Sequence, residues 1–167
     1  MTLEKLKTEV NLLAQIIEAP SFFLPTFANT KYDGTPNLEV LDLGFIHYIV
    51  TERNEEYERR ITRDLSEVLF WIFEYTTFNM AVDFERKNRI EGQDSRILLF
   101  QKKEELLAML NVAWSEKLQA KHTKLIGVND SIKQNRRKYC EELEKQGYEI
   151  STAWDIMQKV SNIKNIC

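Results

Sequence analysis

The sequence predicts an α+β fold, predominantly α, and three observations carry that expectation. Apolar residues recur at helical spacing near the N-terminus, the period changes to two between Asn37 and Ile61, and helical patterning with capping residues resumes from Asp64 onward. Composition agrees: 43% hydrophobic and 29% charged residues, with five Gly and three Pro among 167 residues, describe a packed, helix-rich chain. That length is within the usual range of one domain and long enough to bury a core, so a single domain over 1–167 is expected.

Leu3, Leu6, Val10, Leu13 and Ile17, with Leu12 and Ile16 widening the stripe, form the first amphipathic helix, capped by Thr2 and stopped by Pro20. Ser21 to Pro36 holds two prolines, three phenylalanines and Gly34, and reads as an ordered loop whose aromatics reach the core. Leu38 and Val40, then Ile46, Tyr48 and Val50, then Tyr57, Arg59 and Ile61 alternate with their neighbours as strands do. Asp42 to Gly44 and Asn54 to Glu56 supply the turns, so a three-stranded antiparallel meander is predicted.

Asp64 with Glu67 resembles a capping box, and the following run through Phe84 is apolar nearly all round. This is the expected central, buried helix, to whose core Leu69, Trp71, Ile72 and Phe73 contribute; Glu74, Asn79 and Asp83 interrupt it too often for a membrane span. After a break at Gly92, a helix carries Leu98, Leu99, Leu106, Leu107 and Leu110, and another runs from Trp114 to Leu125, ended by Gly127. Asp130 and Ser151 cap two last helices, the latter carrying Ala153, Trp154, Met157 and Val160, a C-terminal helical pair over 127–167 packed on the rest.

The formal net charge is −3 and Lys plus Arg total 23 against 26 Asp plus Glu, which argues against a general nucleic-acid binder and suits a basic partner. Cys140 and Cys167 read as reduced thiols, and the charged stretch from Met1 to Asn11 lacks a secretory h-region, so a cytoplasmic protein is expected.

Catalytic signals are sparse. His47 and His122 have no second ligand at metal spacing, and no phosphate-cradling glycine loop or nucleophile elbow occurs, so neither cofactor nor metal is expected. One dense polar cluster, from Asp83 to Arg96, includes Glu91 and Asp94, which a metal-dependent hydrolase would use. The preferred reading is structural: Glu85 pairs with Arg89, Asp94 caps a helix, and Glu91 and Arg96 complete a polar network at the helix junction. The basic stretch Lys133, Arg136, Arg137 and Lys138 would serve a nucleic-acid-binding regulator, but Glu141 and Glu142 stand four residues after Arg137 and Lys138 and favour a salt-bridged, solvated helix.

Leu24-Pro25-Thr26, Leu38-Glu39-Val40, Tyr48-Ile49-Val50 leading into Glu52-Arg53, Arg59-Arg60 with Thr62, Asp64-Leu65 before Leu69-Phe70-Trp71-Ile72-Phe73-Glu74, Met80-Ala81 and Asn88 to Asp94 follow one another in an order that resembles the immunity protein 63 family of bacterial polymorphic-toxin systems. Residues 1–126 hold the main resemblance. Where that family has glycine after the Glu-Arg pair this chain has Asn54, and where it has a further arginine this chain has Ile97. The resemblance implies a non-catalytic cytoplasmic protein that binds a cognate toxin domain and blocks it, without nucleic-acid or membrane partners. Exposed acidic positions that would face a basic toxin are Glu55, Glu56 and Glu58, and Glu141, Glu142 and Glu144.

Overall fold

The computed structural model describes residues 1–91, 93–149 and 152, and of residues 127–136 only the backbone. Two units are distinguished, Met1–Ala120 and Lys121–Cys167.

In the first unit, helix α1 (Leu3–Ile16) starts where Thr2 Oγ1 accepts a hydrogen bond from the Lys5 amide, and buries Leu6, Val10 and Ala14 at intervals of one turn. Leu12 and Ile16, expected to widen the apolar stripe, are instead half exposed. The buried face is therefore a narrow ridge. The sheet has four strands in the order β1 (Thr26–Phe27), β2 (Asp33–Val40), β3 (Ile46–Glu52) and β4 (Glu55–Thr62). The antiparallel meander is present as β2–β3–β4, but β1 adds a parallel edge strand, with Thr26 opposite Asn37, so the sheet is mixed. The loop expected to run to Pro36 ends earlier, because β2 begins at Asp33 and passes through Pro36. A register irregularity between Asp33 and Pro36 accommodates a residue that has no N–H to give to a ladder.

Two further irregularities set the geometry of the β3–β4 hairpin. Arg53 and Asn54 both have positive φ, as a type I′ turn requires, and asparagine tolerates that conformation better than most residues. Asn54 thus keeps the tight turn without a glycine, and β4 begins at Glu55, one residue after it. Opposite Val50 and Thr51 stand Glu58 and Glu56, which leaves Tyr57 as the extra residue of a β-bulge. The bulge shifts the alternation, so that Glu56 joins the face that carries Arg59.

Helix α2 (Leu65–Lys87) is capped by Asp64, whose carboxylate accepts from the Ser66 amide at 2.8 Å. Glu67 does not close the expected capping box; its carboxylate accepts from Thr62 Oγ1 instead, which ties the helix start to the end of β4. Leu69, Ile72 and Phe73 are buried with Val68 and Phe70, and join Leu6 and Val10, Leu38, Ile46 and Tyr48 in one core cluster. Helix α3 (Ser95–Leu110) adds Leu106 and Leu107. Trp71 is only partly buried and packs against the edge of this cluster. Ile72 and Phe73 face inward from α2 and Trp71 flanks them.

Helix α4 (Val112–Lys145) begins where the Asn111 side chain accepts from the Ala113 amide. It is one continuous helix of 34 residues, where the sequence suggested a stop at Gly127 and a restart at Asp130. An interior glycine costs roughly 1 kcal/mol of helix stability but does not by itself end a helix. Gly92 and the last expected helix, with Ser151, Ala153, Trp154, Met157 and Val160, lie outside the described residues. Among the described residues no helix is long and apolar enough to cross a membrane.

Candidate functional site

The polar cluster between α2 and α3 contains two ion pairs. Arg89 donates from Nε and Nη2 to the two carboxylate oxygens of Glu85 at 2.8 and 2.9 Å, and this fork holds the Glu85 carboxyl below the ordinary glutamate range. Asp94 caps α3 through the Arg96 amide and also accepts from the Arg96 guanidinium. Glu91 is exposed in the intervening turn. Among the described residues no group of three or more His, Cys, Asp or Glu is placed to hold a metal ion.

The acidic candidates also fall into two kinds. Glu56 accepts from Arg59 Nε and Nη2 at 2.8 and 2.7 Å, and Arg59 Nη1 lies 2.8 Å from His47 Nδ1 on the outer face of the sheet. Glu58 accepts from Arg60 at 2.7 Å, and Glu141 accepts from Arg137 at 3.1 Å. Glu55, Glu142 and Glu144 have no ion-pair partner among the described residues, and Glu55 stands opposite Glu52 beside the turn. Of the basic stretch on α4, Arg137 is paired with Glu141 and Lys138 is exposed, whereas the side chains of Lys133 and Arg136 lie outside the described residues. His122, on a stretch that looks polar in sequence, is buried.

One concavity of the first unit was not anticipated. A cavity of about 230 Å³ opens between the hairpin and helices α2 and α3, lined by Tyr48 and Arg60 from the strands, Trp71, Glu74, Tyr75 and Phe78 from α2, and Lys103 from α3. The Tyr48 and Trp71 rings meet edge to face with centroids 6.1 Å apart. Arg60 lies over both, 5.5 and 5.4 Å from their centroids, and is steadied by Glu58. Lys103, a buried residue, stands 3.7 Å from the Glu74 carboxylate and 5.5 Å from the centre of the Phe78 ring.

Several donors in this pocket have no protein acceptor. Among the described residues the Tyr48 hydroxyl, the Tyr75 hydroxyl, the Trp71 indole N–H and Arg60 Nη1 make no hydrogen bond to protein, and since no buried side-chain polar atom there lacks a partner, these groups open to solvent. Burial pushes the Tyr48 phenol far above its ordinary range, against the opposing pull of Arg60, so the hydroxyl stays protonated at any physiological pH.

The first unit thus places a small open pocket beside a charged hairpin. Residues 42–124, just under half of the chain, match the family model of Immunity protein 63. All seven residues lining the pocket lie within the matched span. No curated protein and no solved structure matches the chain.

Proposed function

We propose that the protein is a cytoplasmic immunity protein of a bacterial polymorphic-toxin system, which neutralises a cognate toxin by forming a stoichiometric complex and performs no catalysis. The family match over residues 42–124 carries this reading. The chemistry of the helix junction supports it against the hydrolase alternative, since the Asp94 carboxylate is already engaged by Arg96 and by the start of α3.

The toxin-contacting surface in this proposal includes the β3–β4 hairpin with Glu55, Glu56 and Glu58, and on α4 Glu141, Glu142 and Glu144. Glu56 and Glu58 are compensated by Arg59 and Arg60, so the hairpin offers alternating charge for specific recognition more than a uniform acidic field. Glu85, Arg89, Glu91, Asp94 and Arg96 are proposed to hold the α2–α3 junction and to make no toxin contact.

Co-expression with the toxin encoded by the neighbouring reading frame is the test. Growth should be rescued and the two chains should co-purify at fixed stoichiometry. Absence of both protection and complex with every neighbouring candidate would refute the proposal.

A further inference from the structure

The pocket beside the hairpin has a definite chemical preference. Its aromatic faces are already covered by internal cations: Arg60 over Tyr48 and Trp71, and Lys103 over Phe78. A cation arriving from outside would find those faces taken; Arg60 is paired with Glu58 and Lys103 with Glu74, so the charges around the pocket balance and the ligand is chosen by the hydrogen-bonding groups left over. What remains unmatched is a set of donors, the Tyr48 hydroxyl, the Trp71 indole N–H and Arg60 Nη1. These donors face an open pocket where a group with several lone pairs can take the place of water, and a carboxylate offers about four acceptor sites and the charge that Arg60 favours. At about 230 Å³ the cavity is smaller than the pockets that enclose drug-sized ligands and is matched to a single side chain.

We infer that this pocket is a socket for one acidic side chain, Asp or Glu, of the bound toxin domain, held by Arg60, Tyr48 and Trp71. The inference rests on the immunity reading for the identity of the occupant, and on the pocket alone for its chemistry. Small buried pockets of aromatic and arginine residues are where binding energy concentrates in protein interfaces. Tyr48 adds an independent sign. Its hydroxyl has no protein acceptor and opens to solvent at the pocket, where an acceptor arriving from outside can reach it.

Phenylacetate and its neutral isostere phenylacetamide are the probes, titrated into the full chain while the Trp71 indole N–H resonance is followed by nuclear magnetic resonance, with Trp71→Phe to assign it. Phenylacetate should give a saturable shift at roughly millimolar concentration. Phenylacetamide should bind about tenfold more weakly or not at all, and Arg60→Gln should abolish the difference. Tyr48→Phe, which keeps the ring and should fold normally, should weaken phenylacetate binding about threefold to tenfold. In the toxin complex both variants should raise Kd, and a double-mutant cycle should couple Arg60 to one toxin carboxylate. Equal binding of acid and amide, or no saturable shift, overturns the socket. A toxin complex whose Kd is unchanged by Tyr48→Phe and Arg60→Gln overturns it too, and leaves the immunity reading standing. Carboxylate binding without any toxin complex refutes the immunity reading and the toxin as occupant, and leaves the carboxylate chemistry intact.

Discussion

Arg59 and Arg60 are neighbours in sequence and occupy opposite faces of one strand. On the outer face, Arg59 is fully engaged, with both Glu56 oxygens and the His47 ring nitrogen around it. On the inner face, Arg60 has one carboxylate partner, two aromatic rings beneath it, and donors left over beside the equally unmatched Tyr48 and Trp71. The same residue type, with the same kind of partner, is closed in one setting and open in the other. Charge pairs of the first kind decorate a surface; those of the second kind, walled by rings and partly withdrawn from water, are equipped to hold something.

The strongest way to break this contrast is to remove the floor under the inner face. Phe73 is fully buried, and Phe73→Ala should destabilise the fold by about 3–5 kcal/mol in denaturant unfolding. Trp71→Ala should cost less, about 2 kcal/mol, because Trp71 is a pocket wall with part of its surface already in water. Equal losses would place Trp71 in the core and close the pocket.

The outer face can be opened at Asn37. Its side chain accepts from the Asn29 amide at 2.9 Å and from Thr26 Oγ1, and donates to Thr30 Oγ1 and to Glu39 at 3.2 Å, which pins residues 28–32 over that part of the sheet. Asn37→Ala should cost about 1–3 kcal/mol by stranding those partners, and hydrogen exchange should quicken at the Asn29 amide. An unchanged exchange rate would mean that the segment is held by something else.

Acid should act more gently. Hydrogen bonds from Arg59 and Arg89 hold Glu56 and Glu85 below the ordinary value of 4.5. A depressed folded-state pKa means stabilisation that is present above the unfolded value and lost as pH falls through the folded one. Unfolding midpoints should therefore be flat above about pH 5 and decline below the ordinary glutamate range. Arg59→Gln and Arg89→Gln together should shrink that decline, and an unaltered profile would show the two forks to be energetically idle. The smallest effect on stability belongs to Tyr48→Phe: the unfolding midpoint should stay constant or rise slightly, and a clear loss would reveal a partner for its hydroxyl.

How far the sequence disclosed this arrangement differs between fold and site. The caps at Thr2, Asp64 and Asp94 and the alternation in β3 were legible because each is a local property, decided by a few adjacent residues. The β1 strand was not, since two residues carry no periodicity, and β2 was shortened in prospect because Pro36 and Gly34 mimic a loop. The continuity of α4 across Gly127 escaped for the opposite reason, a local breaker outweighed by the helix around it. The pocket draws on two strands and two helices, from Tyr48 to Lys103, so no spacing along the chain announces it. A signal did exist. Tyr48, Arg60, Trp71 and Glu74 all fall in the stretches that carry the family resemblance, and reading those stretches as one place rather than as an ordered string would have singled out the site.

The bulge at Tyr57 works as a phase shifter. Beyond it, toward the Arg53–Asn54 turn, each side chain sits on the face opposite to the one that simple alternation from Arg59 and Arg60 would assign. Deleting Tyr57 would therefore remove the bulge and leave Glu56 on the face of Arg59, whereas one residue added to β3 between Val50 and Thr51 would pair with Tyr57, swing Glu56 inward and strip Arg59 of its fork. Which charges this protein turns outward is thus governed by the one-residue mismatch between β3 and β4 as much as by the identity of the residues, and evening out that mismatch from the β3 side would exchange the charges at the hairpin tip between the two faces.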